Sequence, residues 1–258
     1  MTTETVAAGT QVLAALAAVR DPELDEPVTS LGFVASCTVS PDGRAEVHLR
    51  LPTYFCAPNF AYLMVADAYD VVSAIPGVRS TRIVLDDHFA SDTINVGVAA
   101  GAGFVRSFDG EAVRELDGLR ADFLRKAVMA GTDQVARPLA QRGVGPAALA
   151  GLTLGETPPS PALDRLRQRR TELGLPAGDE APLLIDPGTG LAVGEPAVPL
   201  HLRRARITRV GIEANGGICR GMLQQRYGTA GLAQTDDQIE QTDQIDQTDQ
   251  IDQTEETR

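Results

Sequence analysis

The stretch that decides the fold is LPTYFCAPNF, residues 51–60, in which a cysteine lies between two prolines. It joins a strand-like segment, RAEVHLRL (44–51), to a helix-like segment that begins at Pro58. Apolar and polar residues alternate in the first segment, as in a strand with one buried face. Proline suits the first position of a helix, where its missing N–H costs nothing. The sequence therefore places Cys56 in a loop directly before a helix over 58–75.

Three further segments complete a small domain around this loop. LGFVASCTVS (31–40) reads as a strand, and the turn sequence PDG (41–43) joins it to the strand over 44–51 as an antiparallel hairpin. VRSTRIVLDD (78–87) reads as a third strand, and apolar residues at helical spacing predict a helix over 10–20. The order helix, strand, strand, helix, strand predicts a compact α-β-β-α-β domain of the α/β (α+β) class with a three-stranded sheet.

The rest of the chain predicts a mostly helical second part with a short β-hairpin. Residues 108–131 indicate a helix that 135–143 extends beyond a break, and residues 162–175 indicate a short charged helix. PLLIDPGTGLAV (182–193) resembles a hairpin around the turn PGTG. ARITRVGIEANGGICRGMLQQRYG (205–228) reads as a strand, a glycine turn and a closing helix.

The chain ends in a repetitive acidic segment in which the hexad TDQIDQ occurs twice, at 242–247 and 248–253. One isoleucine in six residues and no aromatic residue give too little apolar surface to offset the entropy of ordering. We therefore expect a disordered tail. The expected organisation is as follows: a flexible N-terminus over 1–9, the small domain over 10–90, a helical and β-hairpin region over 91–228, and the disordered acidic low-complexity tail over 229–258.

Composition and charge exclude several classes of protein. The net charge of -12 argues against nucleic acid as a partner, because binding to phosphates needs a basic surface. No run reaches the roughly 18 apolar residues that a membrane-spanning helix needs, and the N-terminus lacks the basic region of a signal peptide. Three cysteines, an odd number, argue against a disulfide framework. These features predict a cytoplasmic protein with reduced thiols.

The three cysteines have different expected roles. Cys37 shares a strand face with apolar residues and is expected to be a small buried side chain. Cys56 lies before the first turn of a helix, where free N–H groups and the helix dipole stabilise a thiolate that attacks electrophiles or binds a soft metal. Cys219 is expected in the first turn of the closing helix, in the same electrostatic setting. For Cys56 and Cys219, simple packing of the thiol remains the alternative.

Residues 10–86 resemble the MIP18/PaaD-like family of iron–sulfur assembly proteins, also described as a domain of unknown function, DUF59. Four segments carry the resemblance: DPELDEPVTSLGFV (21–34), the hairpin with PDGR, LPTYFCAP (51–58) and IPGVRSTRIVL (75–85). The family begins its first loop with Asp-Pro-Glu, which corresponds here to residues 21–23, and has a threonine shortly before the cysteine, here Thr53 and Cys56. Many members have proline directly after the cysteine, whereas Ala57 intervenes here.

The resemblance implies a role in building or delivering iron–sulfur clusters or iron, without catalysis by the protein itself. Cys56 would be the functional thiolate, Thr53 would hold the loop by hydrogen bonding, and Asp21 and Glu23 would line the same edge. Cys219 is the candidate second ligand of a labile cluster. No Cys-x-x-Cys motif is present, which favours transfer of the cluster or a site shared across a homodimer. The implied partners are other assembly proteins or a client metalloenzyme, and multicomponent iron oxygenases are one client class.

Two other readings remain open at this point. The small domain could be a metal-free adaptor or chaperone module that recognises a client protein, or Cys56 could be the nucleophile of a thiol enzyme, which would need a nearby base. His88 lies among Asp86, Asp87 and Asp92, a set that could bind a divalent ion, although a solvated acidic loop is the commoner explanation. The motifs of phosphate loops, serine hydrolases and zinc proteases are absent from the sequence.

Overall fold

The computed structural model describes residues 3–109, 112 and 114–228. These residues divide into two compact units. The first unit comprises residues 3–20, 26–109 with 112, and 218–228, and the second comprises 21–25 and 114–217. The fold is mixed, with a three-stranded sheet in the first unit and a mostly helical second unit, as the sequence predicts. The expected tail over 229–258 lies outside the described residues.

The sheet of the first unit has the order β1 (Val34–Val39), β2 (Arg44–Arg50), β3 (Ser80–Asp86). β1 and β2 form the predicted antiparallel hairpin, in which Val47 pairs with Cys37. Gly43 closes the turn with a φ of 81°. A side chain at Gly43 would be strained by this φ, and its Cβ would lie 2.5 Å from the carbonyl oxygen of Gly77.

Helices α1 (Thr3–Leu16) and α2 (Pro58–Ser73) complete the α-β-β-α-β order. α2 connects β2 to β3, which therefore run parallel. α1 begins at Thr3 and so includes residues that the sequence analysis assigned to a flexible N-terminus. The core of this unit consists of buried apolar side chains from all five elements: Val12, Leu16, Val39, Val47, Leu49, Met64, Val65, Ala68, Ile83 and Leu85. Each valine, leucine, isoleucine or methionine in this list stabilises the fold by roughly 1.5–3 kcal/mol when fully buried.

The first unit continues beyond the expected boundary at residue 90 with α3 (Ser91–Ala99) and α4 (Phe104–Ser107). α3 packs on α2 and β3. The Asn95 side chain accepts a hydrogen bond from the Leu85 N–H (2.8 Å) and donates one to the Leu85 carbonyl (3.3 Å). Asn95 thereby satisfies backbone groups of β3, an edge strand that has only β2 as a neighbour in the sheet.

The second unit contains α5 (Asp117–Gln141), α6 (Pro146–Gly151), α7 (Pro161–Glu172) and the first turns of α8. The helix expected over 108–131 instead begins at Asp117, and it continues through Pro138 without the expected break. The core of the second unit includes buried leucines of α6, of α7 and of the segments after each of them: Leu149, Leu154, Leu163, Leu166, Leu183 and Leu184. The expected hairpin is a turn closed by a single bridge between Ile185 and Ala192.

The strand and glycine turn predicted over 205–217 are wrong. α8 is one continuous helix, Val198–Tyr227, and Gly216 and Gly217 lie within it. Its residues 218–227 belong to the first unit and its earlier turns to the second. None of the helices within the described ranges is both long and apolar enough to cross a membrane.

Candidate functional site

Cys56 is half-buried in the loop between β2 and α2, next to Ala57, the N-cap residue of α2. Its Sγ lies 3.3 Å from the Thr53 hydroxyl oxygen, and either group can be the donor. Helix α2 begins at Pro58, as predicted. The structure thus brings together Thr53 and Cys56, the two residues that the sequence paired in this loop.

The backbone of this loop is held by His88, a role that no pattern in the sequence indicates. His88 is only 3% exposed. Its Nε2–H donates to the carbonyl oxygen of Cys56 (2.7 Å), and its Nδ1 accepts from the N–H of Ala90 (3.2 Å). These two partners define the tautomer as the neutral Nε2–H form. The prediction that His88 lies in a solvated acidic loop is therefore wrong for the His88 side chain, which is buried.

Burial keeps the imidazole of His88 neutral. Desolvation lowers its pKa below the ordinary value of histidine, the hydrogen bond to the Cys56 carbonyl opposes this effect, and the charge of Arg226 reinforces it. Both ring nitrogens contact backbone groups. For this reason we assign His88 neither as a metal ligand nor as a base for the Cys56 thiol, but as a residue that positions the loop.

A second contact comes from the C-terminal end of α8. Arg226 donates to the carbonyl oxygens of Leu51 (3.2 Å) and Asp87 (2.7 Å). The Tyr227 hydroxyl donates to the carboxylate of Asp87 (3.3 Å), and the guanidinium of Arg50 lies 4.9 Å from the Tyr227 ring centroid. Arg226 therefore joins the loop that carries Cys56 to the loop that follows β3.

Three aromatic side chains form an exposed cluster beside Cys56, which we call the aromatic cluster: Tyr54, Phe55 and Phe89. Their ring centroids are 5.0–6.3 Å apart, and Phe55 is 77% exposed. The N–H of Phe89 donates to the carbonyl of Tyr54 (3.2 Å), which joins the two loops a third time. Exposed aromatic groups of this kind are typical of protein-binding surfaces rather than of a folded core.

Asp21 and Glu23 belong to the second unit, whereas Thr53 and Cys56 belong to the first. Asp21 is buried, and its carboxylate accepts hydrogen bonds from the N–H groups of Glu23 (2.9 Å) and Leu24 (2.8 Å). This is a loop-stabilising role of a buried aspartate. That Asp21 and Glu23 share an edge with Cys56 remains a prediction.

Cys219 does not lie in the first turn of a helix, which corrects the sequence analysis. α8 begins at Val198, so Cys219 is inside a long helix and far from the N–H groups at its start. The electrostatic reason for a thiolate at Cys219 is therefore lost. Its thiol is half-buried.

Cys37 is half-buried rather than fully buried, and desolvation raises the pKa of its thiol to about 11. Its Sγ lies 3.9 Å from the carbonyl oxygen of Gly9. The group is therefore a neutral thiol packed against α1, consistent with the structural role expected for it. Within the ranges that the structure describes, no group of three or more histidine, cysteine, aspartate or glutamate side chains is arranged to hold a metal ion.

Comparison with known proteins supports the resemblance seen in the sequence. Residues 9–84 match the model of a family described as "Iron-sulfur cluster assembly protein". A solved structure titled "Crystal Structure of Domain of Unknown Function DUF59 from Bacillus anthracis" is 24% identical over 34% of this chain and 85% of that chain, with a TM-score of 0.31. Among curated proteins no match was found. The family match confirms the predicted resemblance for the N-terminal third of the chain.

Proposed function

We propose that this protein is an assembly or delivery factor for iron–sulfur clusters or iron, and that it helps a client metalloenzyme to mature without being an enzyme itself. The observation that carries the proposal is the position of Cys56 within the segment that matches the family. Cys56 is half-buried directly before α2, while the backbone of its loop is held by His88 and Arg226. A fixed backbone with a half-buried sulfur suits a ligand that must be offered and then withdrawn.

The cluster is a cargo in this proposal rather than a resident cofactor. Iron–sulfur clusters are commonly held by four cysteine thiolates, whereas the loop offers the sulfur of Cys56 and the hydroxyl of Thr53, and the nitrogens of His88 are engaged. The other ligands would come from the client, from a second copy of the chain, or from Cys219. A role of Cys219 as second ligand remains part of the proposal, although its position inside α8 does not favour a thiolate.

The aromatic cluster gives the client a surface next to the sulfur. Burial of aromatic side chains provides much of the binding energy at protein interfaces, and Tyr54 and Phe55 directly precede Cys56 in the chain. A client that covers these rings would bring its own cysteines close to the cargo. We propose a cytoplasmic metalloenzyme as the client, with multicomponent iron oxygenases as the first class to test.

The test is the amount of iron and acid-labile sulfide bound per chain after anaerobic reconstitution of the full chain. Wild type is compared with Cys56→Ser and Cys219→Ser, and Cys37→Ala is the matched control because its thiol is neutral and packed. We expect iron and sulfide in wild type and in Cys37→Ala, and their loss in Cys56→Ser. Equal binding by wild type and Cys56→Ser would refute the role of Cys56, and the Cys219 variant decides whether α8 supplies a ligand.

A metal-free adaptor is the second candidate function, and the exposure of the aromatic cluster favours it specifically. An adaptor would tolerate Cys56→Ser but would lose its client with Phe55→Ser. The readout is the iron content of an iron oxygenase produced together with each variant. Loss with Phe55→Ser alone supports the adaptor, whereas loss with both variants supports delivery through Cys56.

A further inference from the structure

The second unit contains an open cavity of about 280 Å³ between α5 and α8. It is lined by arginines from both helices, by two apolar side chains and by one carboxylate: Asp133, Arg137, Ala140, Leu202, Arg203 and Arg206. Arg203 and Arg206 are three residues apart on α8 and therefore neighbours on one side of that helix. Arg137 reaches the same cavity from α5.

Among the residues that the structure describes, none neutralises these three arginines. Arg137, Arg203 and Arg206 are exposed, and none of them forms an ion pair or a side-chain hydrogen bond with another described residue. The carboxylate of Asp133 is already neutralised, because its Oδ2 accepts from the Nε–H of the buried Arg209 (2.6 Å). The cavity thus concentrates positive charge in a chain whose net charge is -12.

The wall of the cavity that contains Asp133 is held in place by the same ion pair. Arg209 donates to Asp133 on α5 and also to Glu213 on the next turn of α8 (2.5 Å). Burial of a paired and hydrogen-bonded charge fixes the two helices relative to each other within this unit. Leu202 and Ala140 add apolar walls. The helices that carry the arginines are therefore held together by a buried pair, so that binding of a ligand does not have to order the two helices first.

We propose that this cavity is a binding site for a small multivalent oxyanion that carries two or three carboxylate or phosphate groups. The guanidinium group presents planar pairs of N–H donors that match carboxylate and phosphate oxygens. Three such groups around one cavity suit an anion of two or three negative charges. The volume is at the lower end of ligand pockets, which favours a small molecule.

The experiment is isothermal titration of the full chain with citrate and, separately, with pyrophosphate, at low ionic strength. The two probes distinguish the carboxylate from the phosphate source of the same chemistry. The variant Arg203→Gln/Arg206→Gln removes two guanidiniums from the cavity. The control Arg142→Gln/Arg204→Gln removes two exposed arginines of the same helical region that do not line it, so both variants lose the same net charge.

We expect saturable binding of at least one probe, with one site per chain. Hydrogen bonds to charged groups imply a loss of about 10- to 100-fold for each guanidinium removed, hence at least about 100-fold for the cavity variant. The control should lose less than about 3-fold, as expected for screened charges outside the site. Binding of neither probe below about 10 mM, or equal weakening in both variants, would overturn the proposal. Far-UV circular dichroism verifies that both variants are folded.

Discussion

Replacement of His88 by alanine should loosen the loop that carries Cys56. The change removes the donor to the Cys56 carbonyl, which is part-buried, and the acceptor for the N–H of Ala90, which is buried. Each hydrogen bond contributes about 1 kcal/mol net, and an unsatisfied buried group costs about 1–3 kcal/mol. We therefore expect a local destabilisation of about 2–3 kcal/mol.

This magnitude corresponds to a roughly 30- to 150-fold larger population of the open loop, since 1.4 kcal/mol is about a factor of ten. The assay is amide hydrogen exchange of the segment 87–92, measured by mass spectrometry. It includes the N–H groups of Phe89 and Ala90, which are bonded across the loops. Exchange of this segment should accelerate by that factor in His88→Ala.

The matched control is His48→Ala. His48 is partly exposed on β2 and forms ion pairs with Glu46 and Asp86. Such surface pairs contribute about 0.2–1 kcal/mol each, so the loss of two pairs should accelerate the exchange of residues 87–92 by less than about 25-fold, below the range expected for His88→Ala. If His88→Ala leaves the exchange rate unchanged, or if the two variants accelerate it equally, the assigned role of His88 is wrong.

Three further predictions concern the loop, the β1–β2 turn and the buried histidines. Arg226→Ala should destabilise the loop by about 1–3 kcal/mol, because charge-assisted hydrogen bonds are lost. Amide hydrogen exchange of residues 51–57 should then be faster, and an unchanged rate would contradict the prediction. Gly43→Ala should lower the free energy of unfolding by more than about 1 kcal/mol in urea titrations, because of the positive φ and the contact with the Gly77 carbonyl; a neutral effect would contradict it. Burial lowers the pKa of His88 and His201, so the unfolded chain binds more protons near pH 6.5 and below. The stability that these neutral histidines contribute is present above about pH 6.5 and is lost as the pH falls through their folded-state pKa values. A His88→Gln/His201→Gln variant should therefore lose less free energy of unfolding than wild type when the pH is lowered over this range. An equal loss in both proteins would contradict the role of these two histidines.

The α-β-β-α-β order of the first unit could be predicted because the sequence patterns that indicate its elements are local. The alternation over 44–51, the turn that ends at Gly43 and the proline at position 58 each define an element without distant contacts. The same is true of the pair Thr53 and Cys56, which are three residues apart. These patterns are informative because each combines residues that are close in the chain and favour the same element.

α8 could not be predicted in the same way. Gly216 and Gly217 each disfavour a helix by about 1 kcal/mol, and the β-branched residues before them resemble a strand. The helix forms nevertheless because long-range contacts stabilise it, among them the buried pair between Arg209 and Asp133 and the packing of Leu223. These partners are many residues away in the chain, so no local pattern indicates them.

The roles of His88 and Arg226 at the site could not be predicted either, because their partners are also distant in the chain. His88 contacts the carbonyl of Cys56, and Arg226 contacts that of Leu51, over sequence separations of 32 and 175 residues. The acidic neighbours of His88 suggested exposure, whereas its own side chain is buried. Only the packing of the loop after β3 against the loop before α2 reveals the role of this histidine.

The most direct test of the central claim is transfer of the cargo from this protein to an acceptor. The full chain, reconstituted anaerobically with radioactive iron and sulfide, is mixed with an apo-ferredoxin, and the iron that moves to the acceptor is counted over time. Wild type and Cys37→Ala should transfer iron and sulfide together, whereas Cys56→Ser should transfer no more than a solution of free iron and sulfide. Transfer by Cys56→Ser at the wild-type rate would contradict the account.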